Sequence, residues 1–328
     1  MHTTKTWLRL TLPTLTLPML ALISCYSPTY SSKPCKDNNG CPAAFFCDTS
    51  RGGSSTGAVG YCTEGPRTVT DMAVDAGNGL PVLPEVEVLG GSFTVGSAST
   101  DTYPLKMTPT HTRTVARYFM DEREVTVAAY RACVTAGQCN KPHTQADSQG
   151  QPECDKCNYD VPSYDNHPVN CVEYEYAKAF CNFIGRRLPT ETEWEFAANG
   201  LTVSTDVKYP WGNLWDPAKA CFNTPTTTCP VAAKGKTLGG SDVNAGVPGF
   251  YDLSGNVWEW TDSEPCVYKA DGSGLTCNLN GERVVRGGSG FDTDQSLMRS
   301  TVRFGNKTGN VPKAGWNRNL GFRCARTP

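Results

Sequence analysis

At 328 residues, with 38% hydrophobic and 19% charged side chains, the chain can hold one large domain with extras or two ordinary ones. Its 32 glycines and 23 prolines point to a loop-rich globular protein, and a formal charge of −2 argues against nucleic acid as a partner. Sixteen cysteines argue against a reducing compartment, because structural disulfides persist only in an oxidising one.

Residues 1–24 read as a signal peptide. Lys5 and Arg9 precede an apolar run, residues 10–24, that is too short for a membrane-spanning helix. Its end, Leu22-Ile23-Ser24-Cys25, resembles a bacterial lipobox, in which the cysteine is lipidated and becomes the first mature residue. The other reading is an ordinary cleaved signal with Cys25 as a disulfide partner. Lipidation leaves Cys35, Cys41, Cys47 and Cys62 as an even set, and acyl chains would hold the protein on a membrane without a spanning helix. Tyr26 carries no aspartate-type signal for retention at the inner membrane, so an outer-membrane or cell-surface lipoprotein is expected. Residues 25–34, rich in Ser, Thr, Tyr and Pro, read as a tether. Residues 35–62 form a small cysteine-rich module whose only apolar patch is Phe45-Phe46, so two disulfides are expected, in any of three connectivities. Residues 63–84 read as a linker.

The large domain is expected over residues 85–328. Residues 86–93 predict a strand entering a glycine turn, and residues 114–119 a second short strand. Thr126 is placed to cap a helix carrying Val127, Tyr130, Cys133 and Val134 on one face and stopping at Gly137. A second helix is predicted after Asn170, with Glu173 completing a capping box, and ends at Gly185. A third starts at Thr190 with Glu193 as its box partner and ends at Gly200. Beyond it, Gly-, Pro- and Asn-rich chain with short aromatic runs predicts an irregular, loop-rich α+β fold.

Residues 249–260, GFYDLSGNVWEW, are the densest part of the chain. Phe250, Tyr251, Trp258 and Trp260 supply apolar bulk, Ser254-Gly255-Asn256 signals a tight turn, and Asp252 and Glu259 flank it with hard oxygen. With Glu124-Val125-Thr126, His167-Pro168-Val169, the run Arg187-Leu188-Pro189-Thr190-Glu191-Thr192-Glu193-Trp194-Glu195, Pro210-Trp211-Gly212, Arg286-Gly287-Gly288-Ser289 and Leu320-Gly321-Phe322-Arg323-Cys324, it forms an ordered set. That set resembles the formylglycine-generating enzyme, or sulfatase-modifying factor, family, over residues 85–326. The resemblance implies a variant of the C-type-lectin-like fold. In the family's founding enzymes it implies oxidation of a sulfatase cysteine by oxygen and cysteine-bound copper.

The resemblance also implies specific residues. Calcium would be held by the side chains of Asp252 and Glu259 and the backbone carbonyls of Gly255 and Val257, an oxygen set that suits Ca²⁺; the competing reading holds the turn by aromatics and hydrogen bonds alone. A second calcium site would begin at Asn223 but finds no clear acidic ligand downstream. Cys181 and Cys324 match a family disulfide, while a second one matches Ala198 and Ser300, where both partners are missing. Trp258 and Ser289 match residues lining the family's active-site region. Local pairs Cys133 with Cys139, Cys221 with Cys229 and Cys266 with Cys277 are expected, and Cys154, Cys157 and Cys171 leave one thiol over.

The oxidase chemistry departs from the pattern. Two soft thiolates are needed for Cu(I) after the GGS turn, yet residues 290–299 contain no cysteine. Met298 there reads as a core side chain, and no copper is expected. A related branch uses iron held by histidines, but beyond the signal only His111, His143 and His167 remain, without an H-x-x-x-H pair. Cys154-x-x-Cys157 has zinc-like spacing, but a single such pair in an exported protein reads rather as disulfide-bonded. The leading expectation is an envelope-anchored, non-oxidase recognition or accessory module with an unidentified protein or glycan partner. The alternative is an enzyme that modifies an exported protein or peptide from a relocated or different site. Copper or iron bound at one equivalent would mark the enzyme, and calcium alone would not.

Overall fold

The computed structural model describes residues 81–97, 110–144, 156–199, 207–234, 249–266, 281–303 and 316–328 in full. It also describes the backbone of the strand segments 30–35, 45–48, 60–64, 267–268, 275–277, 304 and 311–312. Cys25, the signal segment and Cys154 lie outside the described residues, as do Cys41 and the other residues between the first three strands. The chain divides into two units, residues 1–65 and 66–328.

In the first unit, strands β1 (Tyr30–Cys35), β2 (Phe45–Asp48) and β3 (Gly60–Glu64) form an antiparallel sheet in the order β1-β3-β2. Strand β1 takes in residues that the sequence assigned to a tether, and β3 runs past Cys62 into the expected linker. Backbone pairing thus extends beyond the cysteine frame at both ends. The register sets Cys47 opposite Cys62.

The second unit opens with β4 (Glu85–Val88), β5 (Gly91–Val95), β6 (His111–Val115) and β7 (Tyr118–Asp121). Each of the two predicted strands is in fact a pair broken by a turn: Gly90, at φ +78°, separates β4 from β5, and Ala116-Arg117 separates β6 from β7. Helix α1 (Val127–Thr135) is capped as predicted, with the Ala129 amide donating to Thr126 Oγ1, and Gly137 ends it at φ +69°. Helix α2 (Tyr174–Phe183) begins at Glu173, which makes no side-chain cap. The box predicted from Asn170 does not form, because Asn170 sits three residues too early and is used elsewhere. Its Oδ1 accepts from the Asn158 amide, and its Nδ2 donates to the carbonyls of Lys156 and Arg318. Helix α3 (Glu191–Asn199) has the predicted box in full: Glu193 N donates to Thr190 Oγ1 and Thr190 N to Glu193 Oε2.

The remaining strands are short: β8 (Trp258–Trp260), β9 (Cys266–Tyr268), β10 (Leu275–Cys277), β11 (Glu282–Arg283), β12 (Val285–Arg286), β13 (Arg303–Phe304), β14 (Val311–Pro312), β15 (Leu320–Gly321) and β16 (Ala325–Arg326). The fold is a loop-rich α+β arrangement organised on a sheet of order β13-β12-β8-β15 and a smaller one of order β16-β7-β4. The alternation of a two-sided sheet is absent from β8, whose three residues are all buried. One core gathers Tyr130, Tyr174, Phe180, Trp258, Trp260 and Phe322, and a second gathers Phe93, Tyr118, Met120, Trp194 and Phe196. Leu83, within the stretch expected as a linker, belongs to the first core.

Four disulfides are described. Cys133–Cys139, Cys181–Cys324 and Cys221–Cys229 are as expected, and Cys157 bonds Cys171. Cys266 is disulfide-bonded, and the β9–β10 register places Cys277 opposite it. Ala198 and Ser300 are both fully buried without a disulfide. Among the described residues no helix is long and apolar enough to cross a membrane.

Candidate functional site

The turn leading into β8 is built from residues forced into the left-handed region: Asp252 at φ +56°, Gly255 at +95° and Asn256 at +63°. Gly255 tolerates no side chain, because a Cβ there would lie 2.2 Å from the Cys221 carbonyl oxygen. The Asn256 amide donates to that same carbonyl, its Oδ1 accepts from Cys229 N at 3.0 Å, and its Nδ2 donates to Glu124 Oε2 at 3.1 Å. The turn is therefore clamped to the Cys221–Cys229 loop and to the residues just before α1.

Glu259, one of the expected calcium ligands, is engaged by two other side chains in this structure. Both of its oxygens accept from Arg323, each at 2.7 Å, and Oε2 accepts also from Trp194 Nε1 at 2.8 Å. All three side chains are fully buried. A carboxylate already neutralised by a bidentate guanidinium makes a poor further ligand for a cation. Asp252 also has Glu124 as a carboxylate neighbour. Asp252 Oδ1 and Glu124 Oε1 are each buried with no hydrogen-bond partner. Burial pushes Asp252 up to about 6 despite a hydrogen bond from the Ala232 amide, and burial with the neighbouring Asp252 charge pushes Glu124 well up. Two orphaned carboxylate oxygens that repel each other fit a hard cation. Among the described residues no three His, Cys, Asp or Glu side chains gather as a metal cage. Such an ion would therefore need oxygens from the turn backbone, where Gly255 and Val257 lie, besides Asp252 and Glu124.

Trp258 and Ser289, the expected pocket residues, are brought together, and a third residue joins them. Asp292 Oδ2 accepts from Trp258 Nε1 at 2.9 Å, from the Ser289 amide at 2.8 Å and from Ser289 Oγ at 2.9 Å. Burial raises the Asp292 carboxyl above its ordinary range. The segment is sewn to its surroundings through Gly290, whose amide donates to the Asn256 carbonyl and whose carbonyl accepts from Thr224 N at 2.7 Å. The Cys221 sulfur lies against Gly290, and it is held in a disulfide. Met298 is fully buried beneath Gly288, a core residue as its sequence context suggested. Asn223, the expected start of a second calcium site, adopts φ +52° and donates its amide to the Asp292 carbonyl.

Glu124, Asp292 and Arg323 are partners of these residues that the sequence did not mark as site candidates. Each lies within or beside a quoted motif, but their partners are 132, 34 and 64 residues away along the chain. Spacing within a motif carries no sign of such contacts.

A family model described as the sulfatase-modifying factor enzyme 1-like domain matches residues 76–328. Over 162 residues the chain is 41% identical to the Bos taurus protein named inactive C-alpha-formylglycine-generating enzyme 2, covering 48% of this chain and 50% of that protein. The chain thus spans about half the length of that relative. The formylglycine-generating enzyme of Streptomyces coelicolor is 29% identical over 290 residues, covering 74% of this chain and 88% of that one. Among solved structures, PvdO from Pseudomonas aeruginosa is 22% identical with a TM-score of 0.57, over 74% of this chain and 94% of its own, a likeness of fold.

Proposed function

Because the chain belongs to the sulfatase-modifying factor family, we propose that its domain serves as a non-oxidase recognition or accessory module, held in the cell envelope by lipid on Cys25. The observation that carries this reading is Asp292. Where the family's oxidase needs soft thiolates, this chain presents a carboxylate locked onto Trp258 and Ser289. Hard oxygens held in that way offer Cu(I) little, and residues 290–299 contain no cysteine to replace them. The bovine relative's name, which calls that protein inactive, supports the same direction. In this reading a calcium ion at Asp252 and Glu124 stiffens the turn beneath the module without taking part in chemistry.

The test is direct. Purified protein incubated with copper, oxygen, reductant and a cysteine-containing sulfatase-type peptide should yield no aldehyde above a copper-only blank. Turnover above the blank would overturn the reading in favour of an enzyme with a relocated site. Mass spectrometry of the mature N-terminus should find a lipidated Cys25; a free Tyr26 terminus would remove the anchor.

A further inference from the structure

A cavity of about 420 Å³ opens on different residues from those of the Trp258–Ser289 cluster, between strand β6 and the start of helix α3. Its volume falls in the range of about 300–1,000 Å³ typical of small-molecule sites. Three arginines and three carboxylates line it, and most of their charge is already matched. Arg303 grips both oxygens of Glu191 and donates to the Cys266 carbonyl at 2.7 Å. Arg283 lies 3.5 Å from Glu264 and stacks over the Tyr174 ring.

One charge of each sign is left over. Arg113 sits half-buried on the face of β6 that it shares with the buried Val115, opposite Phe93 in the neighbouring strand. Among the described residues it has neither an ion-pair nor a side-chain hydrogen-bond partner. Asp262 accepts a hydrogen bond from the Tyr174 hydroxyl but has no cation within ion-pair distance among the described residues. Thr192 and Ser263 add hydroxyl groups to the same lining. A guanidinium presents a planar fork that matches a carboxylate in two parallel hydrogen bonds. A purely anionic ligand would satisfy Arg113 but set a second negative charge beside Asp262. A ligand carrying one carboxylate and one ammonium group satisfies both.

We propose that this cavity binds a small zwitterion of the amino-acid or short-peptide type, with its carboxylate on Arg113 and its ammonium group on Asp262. The probes are the twenty amino acids and a panel of dipeptides, tested singly on the purified full chain by thermal shift and calorimetry. Acetate and methylammonium serve as single-charge probes. At least one zwitterion should bind saturably, and the better class distinguishes a free amino acid from a peptide. Arg113→Gln and Asp262→Asn should each weaken that binding at least tenfold, while Arg113→Lys should weaken it less. Melting without ligand shows whether each variant is folded. The proposal is overturned if no zwitterion binds, if acetate binds as tightly as the best zwitterion, or if a folded Arg113→Gln variant binds normally.

Discussion

At the scale of single residues, the turn before β8 separates two carboxylates that look alike in the sequence. Glu259 is closed by Arg323 and Trp194, whereas Asp252 faces Glu124 with an oxygen to spare on each. The two should respond differently to calcium and to pH. Removing one partner of a buried ion pair costs about 3–5 kcal/mol, because the other charge stays buried. Glu259→Gln should therefore lower stability by that order with or without chelator. Glu124→Gln and Asp252→Asn should instead relieve repulsion in chelator and lose any gain from calcium, which is about 2.7 kcal/mol at a hundred times the dissociation constant. The pH sign follows from the raised carboxyls. Between the ordinary carboxylate range and about 6, the metal-free folded state holds a proton that the unfolded state has released, so metal-free stability falls as pH rises through that window. A bound cation needs the ionised form, so its contribution grows over the same window. Melting curves with and without chelator at pH 5 and pH 7 measure both effects, and identical curves would leave the turn held by hydrogen bonds alone.

At the scale of elements, the helices show what the sequence makes legible and what it hides. Thr190 and Glu193 announce α3 correctly because a capping box is a local device, complete within four residues. Asn170 and Glu173 carry the same spacing, yet Asn170 ties together Asn158, Lys156 and Arg318, and Glu173 turns to His143. Those partners are distant in sequence, and tertiary demand outweighed local preference. The broken strands have a similar cause, since a run of apolar residues does not say where a tight turn interrupts it. The contrast can be measured by urea denaturation. Thr190→Ala should cost about 1 kcal/mol, the ordinary value of a helix cap. Asn170→Ala should cost more, because each buried group it abandons costs about 1–3 kcal/mol. Equal costs would restore Asn170 to a simple capping role.

At the scale of the whole molecule, the family frame was legible because it is carried by ordered motifs, and those motifs are mostly the core itself. Trp194, Trp258, Trp260 and Phe322 are all fully buried, together with the arginines Arg286 and Arg323. The pairing of Cys157 with Cys171 was not legible, because three cysteines allow three pairings and the one formed is not the shortest closure. Cys181–Cys324 is the opposite case, a bond between α2 and the residue before β16, 143 residues apart. It closes just over half of the second unit into one covalent loop, and the first core contains both cysteines. In the chain-entropy model a cross-link over such a distance restricts the unfolded chain by about 4–5 kcal/mol. The short Cys133–Cys139 and Cys221–Cys229 loops restrict it by about half as much, roughly 2–3 kcal/mol each. Replacing Cys181 and Cys324 together by alanine should therefore cost about twice as much stability as replacing Cys133 and Cys139. Denaturant unfolding of the two double variants makes the comparison. A similar loss in both would mean that native packing around the sulfurs, rather than restriction of the unfolded chain, sets the contribution of these bonds.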